Sequence, residues 1–142
     1  MIYLDNAATT LFKPPGVPKS VAWAFGHLSS PGRGGHKAAM DAAQTSYECR
    51  LAASKLFNVR EPENIVFTFN ATHALNIAIK SLARRGEKIV ISGYEHNSVT
   101  RPLHTIGARV SVAGSELFEP EMALMAFDKR LSDDTALVVC NH

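Results

Sequence analysis

From Lys37 to Phe57 the apolar or small residues Met40, Ala43, Tyr47, Leu51 and Ser54 recur every three or four positions, with charged Asp41, Glu48, Arg50 and Lys55 between them. That period predicts an amphipathic helix ending near Asn58. Beyond it the pattern changes. Four short runs rich in Val and Ile follow: NIVFTF (64–69), KIVISG (88–93), ARVSVAG (108–114) and TALVVCN (135–141). They lack strict alternation, as strands covered on both faces do. Helical stretches separate them at 71–84, about 97–106 and about 119–131, the last opening near Pro120, a favoured first-turn residue. Alternating strands and helices predict an α/β fold, a mainly parallel sheet with helices on both faces. Upstream, residues 17–28 read as a short helix and SSPGRGGH (29–36) as a glycine-rich loop. Residues 1–16 are turn-rich and read as an N-terminal arm with a short strand at Ile2 to Leu4, followed by one domain over 17–142.

Composition narrows the class. The 142 residues carry 46% hydrophobic and 20% charged side chains, the balance of a folded globular chain rather than a disordered one. The formal charge is +2 and no basic cluster exceeds Arg84-Arg85, so nucleic-acid binding has no electrostatic footprint. No apolar run approaches the roughly 20 residues of a membrane span, and MIYLDNAATT lacks the pattern of a secretory signal. Two separated cysteines, Cys49 and Cys140, suit a reduced, cytoplasmic protein, with both thiols in packing roles. The histidines show no metal-ligand spacing, so no metal site is expected.

Ligands of open α/β sheets bind outside the carboxyl ends of the strands, and two such ends carry polar residues. At FTFNATH (67–73) a strand hands over to a helix through Asn70, Ala71 and Thr72. Free N–H groups at that helix start suit a phosphate, with the Thr72 hydroxyl as a further donor. Equally, Asn70 or Thr72 can be a simple helix cap. The NAT triplet is also a glycosylation sequon, discounted without a secretory signal. At YEHNSV (94–99), His96 projects at the same sheet edge, where an imidazole can stack on a flat ligand or move a proton. Alternatively Asn97 or Ser98 caps the next helix and His96 is an ordinary loop residue. GRGGH (32–36) lacks the Lys-Ser/Thr of a P-loop and follows no strand, so it reads as a tight turn before the helix.

YLDNAATT (3–10), PGRGGH (31–36), NIVFTFNATHALNIAIKSL (64–82) and EHNSVTRPL (95–103) together resemble the class V aminotransferase family, within it the cysteine desulfurase and selenocysteine lyase branch. The resemblance runs from Tyr3 to the last residue. It implies the large domain of a fold-type I enzyme that uses pyridoxal 5′-phosphate, with residues 17–142 a part of that domain. It further implies that Ala71 and Thr72 hold the cofactor phosphate. His96 is implied to stack on the pyridine ring as the catalytic proton carrier. Asn6, Ala7 and Ala8 are implied to lie on the substrate side. Where the family often has Glu after the Ala-Thr pair, this chain has His73, grouped with the cofactor-binding residues but without a role of its own.

The resemblance implies removal of sulfur or selenium from cysteine or selenocysteine, leaving alanine. It also implies an amino-acid substrate, a homodimer and a sulfur-acceptor protein. The family's aldimine lysine, the aspartate opposite the pyridine nitrogen, the mobile-loop cysteine and the substrate-binding arginine have no counterpart here. The chain therefore reads as the N-terminal portion of such an enzyme, inactive by itself. The competing readings are an inactive assembly module, another class V activity, and a generic nucleotide-binding domain. The last is disfavoured by the absence of G-x-G-x-x-G. A sheet ending in mid-course would expose a strand edge and apolar faces, which predicts self-association or a partner.

Overall fold

The computed structural model describes residues 1–7 and 9–141. Ala8, one of the substrate-side candidates, lies outside the described residues. The chain divides into two compact units, Met1–Val66 and Phe67 onward.

The first unit is helical. Helix α1 spans Gly16–His27 and α2 spans Lys37–Leu56, and a single 3-10 turn follows at Pro62–Asn64. The glycine-rich segment forms turns and bends immediately before α2. The end of α2 is set by Asn58, whose φ of 53° is left-handed. That reversal lets the Val59 N–H donate to the Ser54 carbonyl at 2.8 Å, closing the last turn as glycine more often does. The arm differs from expectation at Ile2 to Leu4, which form no strand. Its bonds are local instead: Asn6 Nδ2 donates to the Tyr3 carbonyl at 3.4 Å, and the Tyr3 and Phe12 rings meet edge-on at 6.5 Å.

The second unit carries the sheet. Its elements are α3 (Ala71–Leu82), β1 (Lys88–Ser92), α4 (Asn97–Ile106), β2 (Arg109–Ala113), α5 (Pro120–Arg130) and β3 (Thr135–Val139). The strands are parallel, in the order β2-β1-β3. Ile89 and Ile91 of β1 pack on one face against Ile79 and Ala83 of α3 and Val99 and Leu103 of α4. Val90 points to the other face, where α5 packs along β2 and β1. Helices thus cover both faces, as the alternation of strands and helices predicts.

Burial on both faces holds for β1 alone. Val110 and Val112 of β2 and Val138 of β3 are exposed, because both strands are edges of a three-stranded sheet. The run at 64–69 does not become a strand. Ile65 is extended (φ −94°, ψ 118°), which satisfies β propensity, but no neighbouring strand supplies ladder bonds to it among the described residues. Propensity fixes a backbone angle, whereas a strand also needs a partner's N–H and C=O groups. Cys49 and Cys140 are both exposed free thiols rather than packing residues; Cys140 falls just past the end of β3. Among the described residues no helix is long and apolar enough to cross a membrane.

Candidate active site

The start of α3 carries a side-chain cap at Asn70, not at Thr72, and leaves its first two amides open. Asn70 is extended (φ −169°, ψ 174°), and its Oδ1 accepts the His73 N–H at 2.9 Å. Thr68 Oγ1 in turn donates to the Asn70 carbonyl at 2.9 Å. The cap therefore occupies the third amide of the helix. The Ala71 and Thr72 N–H groups and the Thr72 hydroxyl have no partner among the described residues. Two convergent donors at the positive end of a helix dipole, beside a methyl-sized side chain, can take a phosphate. His73 is held aside: its amide is capped, and its ring stacks on Phe69 at 5.3 Å between centroids.

His96 proves to be the cap of α4, a role expected of Asn97 or Ser98. Its Nδ1 accepts the Ser98 N–H at 3.1 Å and lies 3.0 Å from Ser98 Oγ. A ring nitrogen that accepts an amide N–H carries no proton, so the neutral imidazole bears its proton on Nε2. In this geometry His96 is exposed and offers an Nε2–H donor.

Thr72 and His96 line one open hollow of about 270 Å³ between α3 and α4. Thr72, Asn76 and Lys80 follow the four-residue spacing of one helix face of α3, as Asn97, Arg101 and Thr105 do on α4. Neither Lys80 nor Arg101 makes an ion pair among the described residues, so the hollow is cationic. The stripe of polar residues at this spacing was readable along the chain, but not that the two helices set their stripes side by side. Asn6 and Ala7, both exposed, lie in the first unit.

A larger hollow of about 490 Å³ opens at the carboxyl ends of the strands, lined by Gly93, Tyr94, Ser115, Phe127 and Asn141 among others. The turn from Gly93 to His96 is a built loop. Glu95 Oε1 accepts the Ser92 hydroxyl at 2.5 Å and the Asn141 N–H at 2.7 Å. Asn141 Nδ2 donates to the Tyr94 carbonyl at 3.1 Å, and the Tyr94 hydroxyl donates to the Ser115 carbonyl. A Cβ at Gly93 would lie 3.2 Å from the Gly114 Cα, closer than an ordinary contact, so the two backbones approach tightly there. Sequence reasoning missed Glu95, because nothing local marks a carboxylate whose partner is 46 residues away.

Comparison with known proteins agrees with this architecture. The family model described as Aminotransferase class-V matches residues 2–142. A probable cysteine desulfurase of Synechocystis is 30% identical over 149 residues, covering 100% of this chain and 36% of the relative. The cysteine desulfurase IscS of Shewanella denitrificans is 32% identical, covering 99% of this chain and 37% of its own length. The apo structure of cysteine desulfurase from Thermococcus onnurineus NA1 superposes with a TM-score of 0.76 at 26% identity, over 98% of this chain and 36% of that one. The cystine C–S lyase C-DES, solved in complex with its product cysteine persulfide, shares the fold at a TM-score of 0.71 and 22% identity, over 89% of this chain and 35% of that one. The chain thus spans little more than a third of the curated relatives it matches, and it belongs to the class V aminotransferase family.

Proposed function

We propose that this chain is the N-terminal part of a pyridoxal-phosphate-dependent cysteine desulfurase. The overall reaction converts cysteine and a thiol acceptor into alanine and a persulfide. The observation that carries the reading is the pairing of open N–H groups at Ala71 and Thr72 with His96, Thr72 and His96 sharing one cationic hollow. These residues fit a phosphorylated cofactor: the donor set is uncommitted, and the Asn70 cap leaves it so. Pyridoxal phosphate, when bound, supplies an electron sink for charge developing on the substrate.

In this reading the Ala71 and Thr72 amides and the Thr72 hydroxyl bind the phosphate oxygens, and the α3 dipole favours their charge. His96 stands at the ring and gives or shares the proton on Nε2, while its Nδ1 stays committed to Ser98. His73 supports the phosphate turn from the side, through Phe69. Asn6, Ala7 and Ala8 belong to an arm, residues 1–16, on the substrate side. Residues 17–142 form part of the cofactor domain. Selenocysteine as substrate, a sulfur-acceptor protein and a cytoplasmic setting are parts of the same reading, as is inactivity of the 142-residue chain by itself.

Titration with pyridoxal phosphate and with pyridoxal tests the phosphate cradle. The phosphorylated form should bind about tenfold tighter or more, the worth of hydrogen bonds to a charged group, and Thr72→Val should erase most of that difference. Equal affinity for the two compounds would refute the cradle. The exposed aromatic side chains of Phe25, Phe69 and Phe118 support self-association. Light scattering at micromolar concentration should report a dimer or larger, and a clean monomer would count against it.

A further inference from the structure

We propose that Glu95 is a positioning residue for His96: by joining the ends of β1 and β3, its carboxylate holds the turn that fixes where the imidazole points. The inference rests on the reading that His96 is the group presented to the cofactor ring.

Among the described residues the His96 ring bonds only to Ser98, and its carbonyl accepts the Val99 N–H inside the first turn of α4. Its exposed ring packs in no core, so its place depends on the backbone that enters α4. That backbone is tied on three sides. Ser92, at the end of β1, donates to Glu95 Oε1 at 2.5 Å. Asn141, past the end of β3, donates its N–H to the same oxygen at 2.7 Å. The Asn141 side chain then donates to the Tyr94 carbonyl at 3.1 Å. One carboxylate oxygen with two donors makes charge-assisted bonds, stronger than neutral ones. Gly93 leaves no slack at the start of the turn, since its backbone is packed against Gly114. With the turn fixed, Nδ1 meets the Ser98 amide, and the proton of the neutral ring is confined to Nε2. Without Glu95 the turn keeps only the Tyr94 contacts, and the cap loosens.

A plain staple between strands would use the same bonds, so the test must separate the two roles. Amide exchange by NMR on the full 142-residue chain does so, reading the Ser98 N–H against those of Ile89, Val90 and Ile91. Glu95→Ala should speed Ser98 exchange about tenfold or more, the worth of a hydrogen bond to a charged group, and leave the three strand amides unchanged. Glu95→Gln, whose amide oxygen still accepts both donors through weaker neutral bonds, should restore most but not all of the wild-type protection. Ser92→Ala removes one donor and should give a smaller step in the same direction. Equal acceleration of strand and Ser98 amides would reduce Glu95 to a staple and overturn the proposal. So would an unchanged Ser98 rate in Glu95→Ala. Should Glu95→Ala not fold, an unchanged Ser98 rate in Ser92→Ala overturns it instead. No cofactor enters this measurement, so its failure leaves the phosphate cradle standing, and a failed cofactor titration leaves the positioning role standing.

Discussion

The two ends of the three-stranded sheet are fastened by different chemistry. At the amino end, Asp134 sits between Arg109 at 3.2 Å and Lys88 at 3.7 Å. Ser132 donates at 2.6 Å to Oδ1, the oxygen that faces Lys88, and Lys88 also donates to Ser132. Arg109 Nε reaches the Gly86 carbonyl at 2.7 Å. Strand register slips here between Lys88 and Ile89. At the carboxyl end a single carboxylate, Glu95, is satisfied by a hydroxyl and an amide, and the neighbouring helix starts keep free donors. The amino end is a network of charges bonded to one another. The carboxyl end is fastened just enough to keep its shape, while the Ala71 and Thr72 donors and His96 Nε2 make no bond among the described residues. One sheet therefore devotes one end to holding strands together and the other to presenting donors.

The largest effect comes from removing what both ends share. Leu103 is fully buried on the α3–α4 face, so Leu103→Ala should cost about 2–5 kcal/mol. Denaturant unfolding should show this as a large drop in midpoint, with both ends loosened together. An effect below about 1 kcal/mol would mean that the face can close over the gap. Smaller effects should separate the ends. The Asp134 pKa is held below the ordinary 3.8 by the Ser132 hydrogen bond first, then by the Arg109 bond and the Lys88 and Arg109 charges. A lowered folded-state pKa means stability that is present above the unfolded value and lost as pH falls through the folded one. Below about pH 4, exchange of the strand amides near Lys88, Arg109 and Thr135 should therefore accelerate first. Asp134→Asn should remove that acid sensitivity and make neutral-pH stability slightly lower, since exposed ion pairs contribute little. Identical acid profiles for wild type and variant would show that Asp134 does not control the amino end.

Much of the fold was legible because periodicity survives the loss of context. The helix expected over 37–57 forms at Lys37–Leu56, and the runs near 88, 108 and 135 become β1, β2 and β3. The run at 64–69 misled because Val, Ile and Phe announce an extended backbone and not its neighbour. Thr72 and His96 stand at the starts of α3 and α4, where the sequence marks turns, but their common hollow comes from the packing of α3 against α4, which no local signal announces. The cap assignment was half legible: Asn70 fits the usual capping residues, whereas a histidine cap at His96 does not. Glu95 was invisible, since its role is defined by Asn141, and only the folded sheet makes them neighbours.

That separation also has a consequence in time. The α3–α4 packing joins segments close in sequence, whereas the Glu95–Asn141 bond spans 46 residues. Loop closure must be met before a distant contact can contribute, and parallel pairings form slowly for the same reason. Folding should therefore assemble the helical floor first and aim His96 last. A nascent or partly folded chain would already display the Asn70-capped start of α3 while the His96 imidazole still wandered, so the order in which these groups are placed follows from where their fasteners lie along the chain.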